Sequence, residues 1–504
     1  MTKNEIKLQY SGFVIFAARL VSVVTGFAFQ LMIARQTLGL GLKTEYDMWF
    51  NINDITAYFT LLAGIIPFWS MRFMARGEEG AAKTGIAANL VISLIATLVY
   101  VPIVPLITTF LKIGEGYVIL YYIVAAEIVE IYTINVFESC LRVKKAHVLG
   151  FGLMIAEACK LVLGYIFIIE FKQPLQGALI SLIFAMALQA MYYLALLTKE
   201  LRDKIKWSYV KEWLKGSVLN IYQVAGGQVA ALIFIMLFSQ GGEGGRSNYG
   251  VSSLIANVIT YSAFLAFALT PKLLAERKPE DITTSLRTVL MFAVPMTTGV
   301  IALSQSYLTI MGTSYEGVVG YEQNVPILIV LALDALVLTI GTVFGYVLFG
   351  AETVDAKAKI SFKELMKSRL FIAFSLPYLH FTITIPSTYY VLTSLAGEHP
   401  LQAAFYTSII NASARLVTFA IQLFIVRKMI KVEIPWNSIA KYVLASLVMG
   451  ATLYILPRPT KIMPTLGMTA LGGIIYFTIL AVTDAEARYL IMMVLKKIKK
   501  PFSG

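Results

Sequence analysis

The stretch FAARLVSVVTG, residues 16–26, places Arg19 inside an apolar run that extends from Tyr10 to Ile33. At a rise of 1.5 Å per residue, these roughly 24 residues form a helix long enough to cross a bilayer. A charge at the bilayer centre costs about 2.5 kcal/mol or more, so such a side chain is expected to face other polar groups or a ligand. The run therefore predicts a membrane-spanning helix and marks Arg19 as a candidate functional residue.

The rest of the chain repeats this pattern. Of its 504 residues, 58% are hydrophobic and 14% are charged, and the mean hydropathy is +0.75, which is typical of a polytopic membrane protein. We expect an all-α membrane fold of about fourteen transmembrane helices, since fourteen apolar segments are each long enough to span. They are Tyr10–Ile33, Tyr46–Met74, Ala81–Phe110, Tyr117–Cys140, Val148–Phe171, Gly177–Thr198, Ser217–Gln240, Asn248–Leu269, Val289–Met311, Pro326–Gly350, Leu370–Leu395, Ala403–Val426, Ile439–Leu456 and Leu466–Val482.

The net charge of +13 indicates orientation. If the N-terminus is cytoplasmic, 32 of the 42 lysines and arginines lie in or beside cytoplasmic connections, seven lie on the opposite side, and Arg19, Lys160 and Arg415 lie within spans. The positive-inside rule therefore predicts a multi-pass membrane protein with both termini in the cytoplasm. The same lysines favour anionic lipids as partners, and nucleic acid is not needed to explain the charge.

The connections argue against an enzyme. None is longer than about twenty residues, which leaves no room for a soluble catalytic domain. The chain has no GxxxxGK[ST] phosphate loop, its three histidines are scattered, and its two cysteines form no metal motif. We expect a non-enzyme without a metal site or cofactor.

Two local similarities suggest an internal repeat. The segment AEIVEIYTINVF, residues 126–137, aligns with LDALVLTIGTVF, residues 333–344, at an offset of 207 that places Glu127 on Asp334. A second match pairs Tyr46 with Tyr249 at an offset of 203. Two copies of even helix number share one orientation, and transporters built in this way bind substrate between their lobes. The predicted domains are a six-helix lobe (1–200), a second six-helix lobe (201–430), and two additional helices with a basic cytoplasmic tail (431–504).

Eight charged residues are predicted deep inside the spans, and seven of them lie close to one level: Arg19, Glu127, Glu130, Glu157, Lys160, Asp334 and Arg415, with Asp54 nearer the external end of its span. The i,i+3 spacing of Glu157 and Lys160 favours an ion pair within one helix. Two interpretations remain open for Glu127 and Asp334: a coupling site for Na⁺ or H⁺, or acidic partners for Arg19 and Arg415. Glu130 is assigned to the same network.

Arg19 and Arg415 have no opposite charge three or four residues away on their own helices. Their partner is therefore either a carboxylate on another helix or a ligand, and a planar guanidinium suits phosphate. Neighbouring polar residues, among them Asn51, His380 and Asn411, suit either sugar hydroxyls or hydrogen bonds between helices.

The block SGFVIFAARLVSVVTGFAFQLMIARQTLG (11–39), followed by a span that closes with PFWSMRFMARGEEGAAKTG (67–85), resembles the start of the oligosaccharide and polysaccharide flippases of the MOP exporter superfamily. The resemblance implies translocation of a polyprenyl phosphate- or pyrophosphate-linked oligosaccharide to the external leaflet by alternating access, for surface polysaccharide or glycoprotein biosynthesis. It also implies a cationic cavity. Arg19 matches a place where such flippases carry an arginine, and Arg35 matches the end of the first span, where this chain reads ARQTLG.

The resulting site hypothesis has two parts. The candidate substrate-binding residues are Arg19, Arg415, Lys160, Arg35, Asn51 and Asp54, and the candidate ion-coupling residues are Glu127, Asp334 and Glu130. Candidate partners are the lipid-linked oligosaccharide and the glycosyltransferases or polymerase of glycan assembly. The alternative function is a cation-coupled multidrug exporter of the same superfamily.

Overall fold

The structure, a computed structural model, describes residues 3–266, 279–314, 319–351, 369–396, 399–485 and 487–488. Within these ranges the regular structure is helical and no strand occurs, which confirms the all-α membrane fold. Twelve helices are long and apolar enough to span a membrane, so the predicted count of fourteen is not confirmed. Among the predicted spans, the second and the eleventh are absent from those twelve. The predicted basic tail, beyond Arg488, lies outside the described residues.

The second predicted span is two shorter helices, α2 (Lys43–Phe59) and α3 (Ile65–Ala75), separated by a turn over residues 60–64. Pro67 explains the break, since a proline lacks the N–H that would bond back four residues and its ring clashes with that carbonyl. The eleventh predicted span coincides with an unbroken 26-residue helix, Arg369–Ser394.

The chain forms two compact units, the first ending at Ser247 and the second beginning at Asn248. The predicted division at residues 200 and 430 stays a prediction. Besides α2 and α3, the helices of the first unit are α1 (Lys3–Gly39), α4 (Ala81–Phe110), α5 (Glu115–Lys144), α6 (Val148–Gly164, continued by a π-helical turn), α7 (Pro174–Leu196), α8 (Trp207–Gly216), α9 (Val218–Ala230) and α10 (Leu232–Gln240).

The first unit is held together by packing between its helices. α4 packs on α5, α1 on α6, and α6 and α5 on α7. The α6–α7 contact is close because residue 152 is glycine: a Cβ there would lie 2.1 Å from Cε1 of Tyr193. The Tyr193 hydroxyl lies in that contact and donates to the Leu149 carbonyl at 3.0 Å.

Helix α8 belongs to the packed structure of the first unit. Trp213 is fully buried, and its ring meets that of Phe73 on α3 edge to face at 5.4 Å. The Trp69 indole N–H donates to Ser217 Oγ at 2.7 Å just after the helix ends. The connection after the sixth predicted span is therefore fixed against α3 and α4.

The helices of the second unit are α11 (Gly245–Ala256, which begins in the first unit and continues as a 3₁₀ segment to Ala266), α12 (Pro279–Ala302), α13 (Ser304–Met311), α14 (Val325–Ala351), α15 (Arg369–Ser394), α16 (Pro400–Met429), α17 (Trp436–Ile455) and α18 (Ile462–Thr483). Its core joins α12 to α14 and α17, and α14 to α16. The buried Tyr476 of α18 donates to the Met291 carbonyl of α12 at 2.8 Å, which ties the last described helix to this core.

Candidate functional site

Arg19 lies on α1 and is exposed, although the neighbouring Ala18 is fully buried. No ion pair joins Arg19 to an acidic side chain in the part of the chain that the structure describes. Its charge acts on Glu138 of α5, which also accepts a long hydrogen bond of 3.4 Å from Tyr193. Among the candidate cations, Arg19 is thus one whose guanidinium stays open to a ligand.

Lys160 and Glu157 form the ion pair that their spacing predicts, with 2.8 Å between Nζ and Oε2. The same carboxylate accepts hydrogen bonds from two α1 hydroxyls, Ser22 at 2.9 Å and Thr25 at 2.6 Å. The Lys160 ammonium also lies 5.5 Å from the centre of the Phe29 ring. This cluster joins α1 to α6 and neutralises Lys160, so the geometry gives that lysine a structural role.

Asp54 is engaged by a partner that the sequence did not reveal. Arg246 donates to it through Nε at 2.7 Å and Nη2 at 2.9 Å, a bidentate pair in which both side chains are largely buried. The guanidinium carbon lies 4.8 Å from the ring centres of both Phe50 and Phe234. Asp54 therefore carries no free charge for substrate in this structure.

The glycine-rich segment before Arg246 is anchored to α2 as well. Asp47 accepts the backbone N–H of Gly244 at 2.5 Å and of Ser247 at 2.6 Å, and Thr44 donates to Glu243 at 2.5 Å. Asp47 thereby caps the first turn of α11, whose free N–H groups favour a carboxylate.

Asn51 is fully buried. Its Oδ1 accepts the Tyr121 hydroxyl at 2.9 Å, and the Tyr121 carbonyl accepts the Tyr100 hydroxyl at 2.5 Å. This chain of bonds crosses α2, α5 and α4 inside the first unit. The geometry favours the alternative that Asn51 makes hydrogen bonds between helices. Arg35 lies exposed in the last turns of α1.

Glu127 is buried and Glu130 is half-buried, one turn apart on α5. Neither forms an ion pair with any described residue, and Oε2 of Glu130 is buried with no hydrogen-bond donor. A buried carboxylate oxygen without a donor is unfavourable unless a proton or a cation satisfies it. Glu127 and Glu130 are therefore placed to bind a proton or a cation, as a coupling site requires.

Asp334 and Arg415 pair with each other across α14 and α16, with 2.5 Å between Oδ1 and Nε. The other carboxylate oxygen accepts Asn411 Nδ2 at 3.3 Å. Asn411 also contacts the Tyr249 hydroxyl at 3.4 Å and His380 Nε2 at 3.1 Å. Of the two interpretations open for Asp334, the structure shows the arginine partner.

The structure thus joins two predicted pairs of charges and leaves Arg19, Glu127 and Glu130 without ion pairs among the described residues. Over the same residues no group of three metal-binding side chains occurs. Sequence reasoning missed Arg246 and Asp47 as site-building residues. The run of glycines around Arg246 was the one signal for them, because it marks a tight approach of backbone to α2.

A cavity of about 340 Å³ opens in the first unit where α2, α4 and α10 meet. Its wall is apolar and aromatic: Ile55, Tyr58, Phe59, Ile107, Phe110, Leu111, Leu232 and Ile235. None of the predicted site residues lines it. Its chemistry suits hydrocarbon rather than a phosphate or a sugar.

No protein-family model and no curated protein sequence matches the chain. Solved structures do. The chain is similar to the lipid II flippase MurJ in an inward closed conformation, with 16% identity and a TM-score of 0.68 over 95% of this chain and 100% of that one. It is also similar to an inward-facing multidrug resistance MATE family transporter, with 14% identity and a TM-score of 0.58 over 80% of this chain and 94% of that one. A third structure, a transporter from Pyrococcus furiosus described as having a binding pocket of reverse polarity, gives 15% identity and a TM-score of 0.52 over 83% and 96%.

Proposed function

From a chain that has the fold of the MOP exporter superfamily, we propose a flippase that moves a polyprenyl phosphate- or pyrophosphate-linked oligosaccharide from the cytoplasmic to the external leaflet. The observation that carries the proposal is the extent of the likeness to the lipid II flippase, which takes in nearly all of both chains. The multidrug transporter leaves about a fifth of this chain unmatched. The protein works as a transporter without enzymatic activity of its own.

The proposed head-group contact is Arg19. Lys160 is neutralised by Glu157 and Arg246 by Asp54, whereas Arg19 is exposed and joins no acidic side chain in the described residues. An arginine fork binds phosphate oxygens in a bidentate way, which a lysine cannot do. The phosphate of the substrate would thus find its cation on the first span, while the lipid chain remains in the bilayer.

The proposed coupling site is Glu127 with Glu130. Both lie on α5 without an ion pair among the described residues, and one Glu130 oxygen lacks a donor. Uptake of H⁺ or Na⁺ would satisfy that oxygen and change the charge of the first unit by one.

We place the protein in the plasma membrane with both termini in the cytoplasm, where glycosyltransferases or a polymerase of glycan assembly would be its partners.

The test is binding of a lipid-linked oligosaccharide pyrophosphate to the purified full-length protein. A charged hydrogen bond is worth about 1.5–3 kcal/mol, so Arg19→Ala should weaken binding roughly tenfold to a hundredfold. Arg202→Ala is the matched control, because it removes another exposed arginine side chain, one that lies outside the spans. Expression and thermal stability of Arg19→Ala should equal those of the wild type.

Two results would contradict the assignment of Arg19. Loss of folded protein in Arg19→Ala would make the arginine a structural partner, and unchanged lipid binding would place the head group elsewhere.

The multidrug exporter remains the second candidate function, favoured by the likeness to the multidrug resistance transporters and by the unpaired carboxyl groups of Glu127 and Glu130. A cationic dye included in the same binding assay separates the two. Dye binding that is lost in Glu127→Gln, without any binding of the lipid-linked sugar, would replace the flippase by the exporter.

A further inference from the structure

Arg415 uses only part of its guanidinium. Its Nε donates to Asp334, whereas Nη1 and Nη2 donate no hydrogen bond to any described residue. The side chain is 25% exposed, against 8% for Arg246, which binds Asp54 through Nε and Nη2 between two aromatic rings. Asp334 thus orients Arg415 but leaves its two terminal nitrogens open, and these are the nitrogens that can bind two oxygens of a phosphate.

A histidine adjoins this half-open pair. His380 Nε2 hydrogen-bonds Asn411, and Asn411 in turn donates to Asp334. The charges that act on His380 come from Arg415 on α16 and Asp334 on α14, and the Tyr249 hydroxyl of α11 meets the same asparagine. With a neutral imidazole the cluster has no net charge, and protonation of His380 makes it positive by one unit.

We propose that Arg415 and His380 form a pH-dependent phosphate site in the second unit, an inference that rests on the proposed function. Asp334 holds Arg415 in place through Nε, and two oxygens of the phosphate bind Nη1 and Nη2. Protonation of His380 supplies the second positive charge, so the site binds its anion more tightly as the pH falls and the imidazole takes up its proton. Asn411 links the imidazole to Asp334.

The probe's own titration works against this trend, which makes the sign informative. A pyrophosphate with a free terminal phosphate takes up a proton near pH 6 and so becomes less negative as the pH falls, whereas a link esterified to lipid and sugar keeps its charge. Tighter binding at low pH therefore has to come from the protein.

The experiment uses farnesyl pyrophosphate as the probe and farnesol as its uncharged control, with the full-length protein in nanodiscs of neutral lipid from pH 5.5 to 8. We expect the wild type to bind farnesyl pyrophosphate about tenfold more tightly at the lowest pH, the effect of one charged hydrogen bond. Arg415→Lys keeps a charge for Asp334 but loses the fork, so affinity should fall about tenfold at every pH. His380→Asn should keep the contact with Asn411 and make binding independent of pH.

Arg202→Lys is the matched control, since it makes the same exchange at an exposed arginine outside the spans and should leave binding unchanged. If Arg415→Lys is poorly folded, the double variant Asp334→Asn/Arg415→Gln removes both charges together and should lose the same affinity. Binding that keeps its pH dependence in His380→Asn, or its strength in Arg415→Lys, overturns the inference. Binding that depends on Arg19 but not on Arg415 leaves the flippase standing without this site. A wild type that binds no farnesyl pyrophosphate at any pH overturns this site, and the flippase is then decided by binding of the lipid-linked oligosaccharide.

Discussion

The Asp54–Arg246 pair gives a sharp test of how the first unit is held together. Asp54→Asn leaves a buried guanidinium whose two hydrogen bonds of 2.7 and 2.9 Å have lost their charged acceptor. Breaking a buried ion pair from one side destabilises by about 3–5 kcal/mol. The rings of Phe50 and Phe234 still hold the cation but offer it no counter-charge. For a unit of this size each kcal/mol shifts the melting temperature by about 2–4 °C, so we expect a decrease of about 6–20 °C.

The assay is thermal unfolding of the purified protein in detergent, followed by tryptophan fluorescence, for Asp54→Asn, Arg246→Met and the double variant. The double variant leaves no unpaired charge, so it should be clearly more stable than the sum of the single losses implies. The exposed pair Lys431–Glu433 is the control, because its side chains are 80% and 65% exposed and its removal should shift nothing measurable. Single variants within 2 °C of the wild type, or losses that simply add, would refute the reasoning.

Two further predictions concern packing and pH. Gly152→Ala should destabilise the protein by about 1–3 kcal/mol in thermal unfolding, because the new Cβ would overlap the Tyr193 ring. Gly26→Ala is the control, because no atom lies within 4 Å of its new Cβ, and equal stability of the two variants would contradict the prediction. Burial acts to raise the pKa of Glu200, but the hydrogen bond and charge of Lys144 outweigh it and hold that pKa below its usual value. The pair therefore stabilises above the unfolded-state pKa and is lost as the pH falls through the lower folded one, so melting curves from pH 7 to 3 should show a smaller acid loss in Lys144→Gln than in the wild type.

Much of the fold could be predicted from the sequence, because membrane helices are set by runs of apolar residues that can be counted. The prediction was incomplete where helices break. The turn before Pro67 cannot be seen in the hydropathy pattern, because the residues of that turn are themselves largely apolar. The length of the run therefore described one span where the backbone forms two helices.

The site was predictable only over short distances along the chain. The Glu157–Lys160 pair follows from a spacing of three residues on one helix. Asp54 and Arg246 are 192 residues apart, and a single sequence holds no information on which helices lie side by side. For Asp334 both interpretations were physically sound, and only the structure shows that Arg415 lies beside it on a neighbouring helix.

The burial of Trp213 has a consequence for expressing the protein in pieces. A fragment that stops at residue 200, where the sixth predicted span ends, would lose the indole that packs on Phe73 and the hydroxyl of Ser217 that receives the Trp69 N–H. It would also lose Arg246 and so leave Asp54 without a counter-charge. A self-sufficient first half therefore has to carry about fifty residues beyond the predicted border at residue 200.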